Sequence, residues 1–209
     1  MKKNTSLMML LTAFSVVTIA QNAQSANPRQ NEKTYTLTEK GVDILVYGQR
    51  LKTQTPAGSL YDQAVKKYTN DYGATVYSLK KNGKVIGTAA VSEGKVDGFY
   101  LSAPNVQTDN GIHPGALVVD ALKKKGVSAT MSFDYMEGDY TIEVYYGNIL
   151  LTRLVTTDLS ANGVKKLTDL EKRTEKWQSD YSGDQPTATL GPDDINDIIK
   201  IKEIGIGSY

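Results

Sequence analysis

Short runs of β-branched and aromatic residues, separated by glycine-containing turns, are the feature that most restricts the fold of this chain. Three runs, at residues 73–79, 85–91 and 96–102, follow one another with Asn-Gly at 82–83 and Glu-Gly at 93–94 between them. Asn-Gly between two alternating runs is the strongest short-range hairpin signal. The spacing therefore predicts an antiparallel meander of three strands.

The second half of the chain repeats this pattern. Its runs alternate between apolar and polar positions, and Glu-Gly and Gly-Asn pairs join them. The predicted strands are residues 129–135, 140–146 and 149–156, with one or two short strands in 35–47 and a last strand at 199–206. Five isoleucines among residues 195–204 predict a paired, buried C-terminal segment. Truncation after Gly191 is expected to unfold the domain, whereas loss of residues 205–209 is expected to be tolerated.

Helical spacing is weaker and more local. Residues 59–69 follow a capping pattern, with apolar side chains recurring at three- and four-residue intervals, and predict an amphipathic helix. Residues 115–125 predict a second helix that ends at Gly126, and residues 158–178 are polar and compatible with a third. Many antiparallel strands with two or three short helices make the fold class α+β, with a sheet built from meanders and hairpins.

The N-terminus has the layout of a secretory signal peptide. Lys2 and Lys3 precede the apolar run at residues 6–20, and small residues follow it. Cleavage is predicted after Ser25, and an uncleaved N-terminal anchor is the alternative. The organisation expected for the 209 residues is a signal peptide at 1–25, a flexible leader at 26–34 and one α+β domain at 35–209.

Composition excludes several classes of protein. The chain has no Cys, which rules out disulfides, thiolate metal sites, a cysteine nucleophile and a lipid anchor on an N-terminal cysteine. Its single His cannot supply a pair of histidine metal ligands, so neither a metal nor a cofactor is expected. Without Lys2 and Lys3, 22 basic residues face 23 acidic ones, which argues against nucleic acid as a partner. We expect a monomer without a transmembrane segment after cleavage.

Two blocks of residues resemble a known family. In the first, the predicted strand at 96–102 leads into Thr108-Asp-Asn-Gly-Ile112 and then a helix ending at Gly126. In the second, the aromatic-x-Gly element at 181–183 precedes Leu190-Gly-Pro-Asp-Asp194 and a final strand. In these blocks the chain is similar to the sigma-E-regulated lipoprotein family, a domain of unknown function found in bacterial envelopes. The resemblance would cover residues 36–206.

The chain departs from that family in two ways. Family members carry a lipobox cysteine at the cleavage site, and this chain has no Cys, so the membrane tether does not carry over. Gly98 also stands where the family is expected to have a larger residue. The resemblance implies an envelope protein linked to stress physiology, and it transfers no catalytic residues.

Five residues are candidates for ligand binding. His113 precedes Pro114, in a turn where an ordinary structural role is the alternative. Asp193 and Asp194 follow Pro192, where they could instead complement the dipole of a short helical turn.

Tyr135 and Tyr145 belong to a group of four tyrosines that also includes Tyr140 and Tyr146. These side chains could line a groove for a sugar or a peptide. On a hairpin, however, tyrosines are more often half-buried sheet residues.

The sequence predicts an exported periplasmic protein that binds an envelope protein or a small ligand without catalysis. This prediction rests on the signal peptide, on the family resemblance and on the lack of an assembled catalytic motif. The alternative is an envelope hydrolase that pairs Asp193 or Asp194 with a second acid from the 134–143 hairpin. That reading requires two carboxyl groups about 5–10 Å apart across a concave pocket.

Overall fold

The computed structural model describes residues 33–134, 139–180 and 186–207. Residues 1–32, which contain the predicted signal peptide and most of the leader, lie outside this range, as do Tyr135 and the 181–183 part of the second sequence block. The strands, in chain order, are β1 (Tyr35–Leu37), β2 (Gly41–Val42), β3 (Leu45–Val46), β4 (Gln63–Thr69), β5 (Thr75–Lys81), β6 (Lys84–Ser92), β7 (Lys95–Leu101), β8 (Val106–Thr108), β9 (Val127–Asp134), β10 (Asp139–Tyr146), β11 (Ile149–Leu154), β12 (Thr187–Leu190) and β13 (Ile204–Ile206).

Nine of these strands form one antiparallel sheet in the order β12-β9-β10-β11-β13-β7-β6-β5-β4. Two further pairs, the parallel β1–β8 and the antiparallel β2–β3, lie outside it. The helices are α1 (Val118–Leu122) and α2 (Ala161–Asp180), with 3-10 turns at Thr156–Asp158 and Pro192–Asp194. The predicted α+β class holds in the coarser form of a sheet-dominated fold with two α-helices among the described residues.

The predicted meander is present as β5, β6 and β7. Asn82 and Glu93 have positive φ angles of 49° and 51°, and the glycine after each is also left-handed. This geometry matches the right-handed twist of the flanking strands, which is why Asn-Gly pairs favour two-residue hairpins. The strands β9, β10 and β11 match the second predicted set, and Ile142 and Val144 of β10 are fully buried.

The predicted helix at 59–69 is wrong, because residues 63–69 form the strand β4. The backbone of β4 pairs antiparallel with β5, with Ala64 opposite Leu79. The apolar positions that suggested one helical face serve different elements: Leu60 and Tyr61 enter the core before the strand begins. Tertiary pairing therefore overrides a local pattern that fits a helix equally well.

The helix α1 is shorter than the predicted 115–125. The N–H groups of Gly115 and Val118 donate to the carbonyls of Ile201 and Ile199, at 2.7 and 2.9 Å. The C-terminal segment thus supplies acceptors for N–H groups before and at the start of α1, groups that have no partner within the helix. The helix α2 is long and buries Leu167, Leu170 and Thr174 on one face, which packs against β12 and the 192–194 turn.

One part of the C-terminal segment bonds to residues 115–118, and another part joins the main sheet. Only Ile204–Ile206 is a strand, and β13 lies between β11 and β7 near the middle of the sheet. Four isoleucines of this segment are buried: Ile195, Ile201, Ile204 and Ile206. Gly205 and Ile206 pair with Tyr100 and Phe99 in the sheet, which argues against the expectation that residues 205–209 are dispensable.

The core forms a single cluster between one face of the sheet and the segments that cover it. Phe99, Met131 and Ile142 of the sheet contribute, together with Leu45 of β3 and Leu170 of α2. The described residues belong to a compact unit that begins at Lys33. Among them, no helix combines the length and the apolar character needed to span a bilayer.

Candidate ligand-binding cleft

A cleft of about 590 Å³ opens between the β1–β2 turn, the loop after β8 and the β10–β11 turn. We call it the Tyr146 cleft. Its ionisable lining residues are Glu39, Lys40, Asp109 and Tyr146, and the buried side chains of Leu37 and Ile149 form its apolar part.

Parallel pairing brings two of its walls together. Leu37 at the end of β1 lies opposite Thr108 at the end of β8. Because the two strands run in the same direction, the chain leaves both at the same end of the ladder. This places Glu39 and Lys40 of the β1–β2 turn in the same cleft as Asp109.

Glu39 is held against the β10–β11 turn. Its Oε1 accepts a hydrogen bond of 3.2 Å from the backbone N–H of Asn148. A Cβ at Gly147 would lie only 2.5 Å from the same oxygen, and Gly147 also has a φ of 55°. A glycine at this turn position therefore permits both the left-handed backbone and the close approach of the carboxylate.

Tyr146 is the aromatic wall of the cleft. Its ring lies over Gly126, where an added Cβ would be 3.1 Å from Cε2. The Asp109 carboxylate, as hydrogen-bond acceptor for the Tyr146 hydroxyl, raises the pKa of this tyrosine; burial and the charges of Asp109 and Glu39 add to the shift. The carboxylate thus stabilises the protonated form of the phenol.

The loop that carries Asp109 is internally bonded. The Thr108 hydroxyl accepts from the Ile112 N–H at 2.9 Å and donates to Asn110 Oδ1 at 2.6 Å. Lys124 Nζ donates to the Asn110 carbonyl at 2.6 Å, which ties the loop to the end of α1. Among the described residues, Asn110 Nδ2 is a buried polar atom without a hydrogen-bond partner.

The cleft has the chemistry of a recognition site. Two carboxylates accept hydrogen bonds, one phenol and one lysine donate them, and the formal charge of the four side chains is negative. Hydroxyl and ammonium groups of a ligand suit such a lining, because hydrogen bonds to ionised acceptors are stronger than neutral ones. The described part of the chain holds no group of three or more His, Cys, Asp or Glu residues placed to bind a metal ion.

His113 lies outside this lining, in the turn between β8 and α1. The residue is half-buried, and its Nδ1 lies 2.8 Å from the carbonyl oxygen of Pro114. Tyr135 lies outside the described residues.

Asp193 and Asp194 lie in the 192–194 turn beside α2. Asp194 is almost fully buried, and its Oδ2 accepts from Gly191 N–H at 2.7 Å and Lys166 Nζ at 2.6 Å. The exposed Asp193 lines a shallow depression of about 450 Å³ together with Asp194, Asp169 and Lys166. No described residue of the 134–143 hairpin lines it, and Glu137 of that hairpin lies outside the described residues, so the hydrolase pairing stays a prediction.

Tyr145 belongs to a different cluster from its neighbour Tyr146. Its hydroxyl donates to Glu143 Oε2 at 2.8 Å, while Arg153 Nε donates to Glu143 Oε1 at 2.7 Å. Burial raises the pKa of Tyr145 to about 12, helped by the hydrogen bond to Glu143 and by its charge. The structure thus separates Tyr145 from the cleft that Tyr146 lines.

Sequence reasoning missed Glu39, Lys40 and Asp109 as members of one site. Glu39 and Lys40 occupy an ordinary turn in the sequence, and nothing local connects them to residue 109. The available signals were the Thr108–Ile112 block, which contains Asp109, and the tyrosine group, which contains Tyr146.

Fold and cleft together define a sheet-dominated α+β protein with a cleft that lies between turns and against the core residues Leu37 and Ile149. The structure is similar to the crystal structure of the uncharacterized protein YfeY from Escherichia coli, with a TM-score of 0.47 and 15% sequence identity over 83% of this chain and 99% of that chain. The similarity is one of backbone fold alone. No protein-family model and no curated protein matches the chain, so membership of the sigma-E-regulated family stays a prediction.

Proposed function

We propose that the protein is exported to the bacterial periplasm and acts there as a non-catalytic binding protein, with a small polar ligand in the Tyr146 cleft. The observation that carries the proposal is the convergence of Glu39, Lys40, Asp109 and Tyr146 on a concave space of about 590 Å³. Ligand sites typically measure about 300–1,000 Å³ and combine apolar walls with a few placed polar groups.

The polar groups of the cleft are held in orientations that suit ligand binding. Glu39 is oriented by the backbone of the β10–β11 turn, and Asp109 by its closed loop and by the Tyr146 hydroxyl. Groups held in place before binding lose little freedom when a ligand arrives, which favours affinity. The Tyr146 hydroxyl donates its proton to Asp109, and its oxygen can accept a hydrogen bond from a ligand.

Export and a role in envelope stress are supported by sequence features. Residues 1–25 have the layout of a signal peptide, and the two sequence blocks support membership of the sigma-E-regulated lipoprotein family. The N-terminus of the protein from the periplasmic fraction should be Ala26, and its abundance should rise under envelope stress. An N-terminus at Met1 would contradict cleavage, and unchanged abundance would contradict the stress role.

Binding in the cleft is tested by amide chemical shifts during titration with small polyols and amines. We expect the shifts of Asp109, Tyr146 and Gly147 to move first. Asp109→Asn should weaken binding about tenfold or more, because a charge-assisted hydrogen bond contributes about 1.5–3 kcal/mol.

Asp197→Asn is the matched control, since Asp197 is exposed and lies outside the cleft lining. Its affinity should equal that of the parent protein. Saturable shifts confined to another surface, or equal losses in both variants, would refute the assignment of the cleft.

A further inference from the structure

A second cleft is connected to the first by a backbone hydrogen bond between their lining residues. It has a volume of about 530 Å³ and is lined by Tyr47, Tyr72, Glu93, Lys95 and Asp97, among others. Its two tyrosines are unusually accessible, with 50% of Tyr47 and 92% of Tyr72 exposed. We call this the Tyr72 cleft.

A backbone hydrogen bond joins a lining residue of one cleft to a lining residue of the other. The N–H of Tyr47, which lines the Tyr72 cleft, donates at 2.9 Å to the carbonyl of Lys40, which lines the Tyr146 cleft. Both residues flank the β2–β3 pair, Lys40 before β2 and Tyr47 after β3. Gly48 N–H in turn donates to the Val96 carbonyl at 2.8 Å, which fixes this junction to β7.

The two clefts have matching chemistry. Each contains tyrosine, two carboxylates and one lysine: Tyr146 with Glu39, Asp109 and Lys40 in one, and Tyr47 and Tyr72 with Glu93, Asp97 and Lys95 in the other. In the second, the Ser92 hydroxyl orients Asp97 through a hydrogen bond of 3.0 Å to Oδ2. Two adjacent sites with one set of groups suit a ligand that repeats the same unit.

We infer that the Tyr146 and Tyr72 clefts together bind one neutral glycan chain, an inference that rests on the proposed function. The flat tyrosine rings pack against the apolar faces of sugar rings, since tyrosine combines apolar area with a polar edge. The carboxylates accept hydrogen bonds from sugar hydroxyls. An excess of carboxylates over lysines in both clefts disfavours anionic polymers. A peptide offers only one backbone donor per residue and matches the carboxylates less well.

The dependence of affinity on the length of the glycan distinguishes this inference from binding of a small ligand in one cleft. When one chain occupies both clefts, the second contact is intramolecular and adds to the affinity through its effective concentration. A chain too short to reach both clefts gains nothing from the second. Affinity should therefore rise steeply at the length that spans the Lys40–Tyr47 junction.

The test is calorimetric titration of the full chain with two ladders of neutral oligosaccharides, β-1,4-linked glucose and β-1,4-linked N-acetylglucosamine, from one to six units. In at least one ladder the hexamer should bind about tenfold or more tightly than the dimer. Tyr72→Ala should remove this gain, so that the variant binds the hexamer no more tightly than it binds the dimer. Tyr68→Ala is the matched control, because Tyr68 is an exposed tyrosine of β4 that lines neither cleft.

Each other result overturns the inference. If neither ladder binds, the occupant is not a neutral glycan of this kind, and binding of a random peptide library at the same residues would assign the groove to peptides. If dimer and hexamer bind equally in the Tyr146 cleft, the extended site is wrong while the proposed function stands. If polyols, amines and both ladders all fail to bind, both proposals fail.

Discussion

At the scale of the residue, the consecutive tyrosines of β10 show how one backbone step changes the chemistry of a side chain. Successive side chains of a strand point to opposite faces. Tyr146 therefore reaches Asp109 in the cleft, and Tyr145 reaches Glu143 in another hydrogen-bonded group. Both tyrosines have a raised pKa, and in both a neighbouring carboxylate contributes to the shift. Titration of these phenols at high pH thus reports on two separate parts of the molecule.

Tyr145→Phe should change how stability responds to alkaline pH. The pKa of Tyr145 is about 12 in the folded protein, against an ordinary value near 10. Because the folded state holds the proton more tightly, the stabilisation is present below pH 10 and is lost as the pH rises from about 10 to 12. Urea unfolding across this range should show a shallower decline for Tyr145→Phe than for the parent chain.

Tyr68→Phe, on the exposed edge strand β4, is the control for that comparison and should follow the parent curve. Identical curves for the parent and Tyr145→Phe would mean that the pKa of Tyr145 is not raised in the folded protein.

At the scale of the element, the 192–194 turn and α2 are joined by a buried ion pair. Asp194 has a side-chain exposure of 6%, against 45% for its partner Lys166. A Cβ at Gly163 would overlap the Asp194 carbonyl oxygen, so helix and turn approach as closely as their backbones allow. The aspartate that sequence analysis offered as a ligand-binding residue therefore also fastens the long helix to the sheet.

Lys166→Met should lower the free energy of unfolding by about 1–3 kcal/mol, as measured by urea denaturation. The substitution keeps a long side chain and leaves the nearly buried Asp194 with backbone partners alone. The cost lies between that of a surface pair and that of a fully buried pair because Lys166 is partly exposed.

Lys165→Met provides the comparison, since Lys165 lines the same depression and is exposed. Its effect should stay within about 0.5 kcal/mol. Equal effects of the two substitutions would show that the Asp194 pair adds nothing to stability.

At the scale of the whole molecule, the sheet depends on a strand from the far end of the chain. The strand β13 lies between β7 and β11 and so joins the meander β4–β7 to the group formed by β9–β12. It has only three residues, and a Cβ at its central Gly205 would overlap the Phe99 carbonyl. Pairing between segments so far apart in the chain raises the contact order, and here it joins the two halves of the sheet.

Truncation after Gly191 should abolish cooperative unfolding, because it removes β13 and the buried Ile195 and Ile201. Truncation after Ile204 should destabilise the chain severely as well, since Gly205 and Ile206 are paired in the sheet. Burial of one isoleucine is worth about 1.5–3 kcal/mol, against a total stability of about 5–15 kcal/mol. Thermal unfolding followed by circular dichroism measures both effects.

Ile198→Ala is the control, because 76% of Ile198 is exposed. It should melt near the parent temperature. A chain ending at Gly191 that melts cooperatively at that temperature would show that the C-terminal segment is an appendage.

What the sequence by itself determined is local. Asn82-Gly83 and Glu93-Gly94 take left-handed backbone conformations that few other residues adopt easily. The meander can therefore be predicted from the sequence. Pro192, Asp193 and Asp194 likewise form the predicted helical turn, because proline and acidic residues suit the first turn of a helix.

Only the tertiary structure decided which elements meet. The apolar spacing of residues 63–69 also fits a helix, but these residues form a strand because their backbone pairs with β5. This pairing outweighs a weak local preference. The same holds for the Tyr146 cleft. Glu39, Asp109 and Tyr146 come together through β1–β8 pairing and the β10–β11 turn, and contacts between residues so far apart in the chain leave no periodic trace in the sequence.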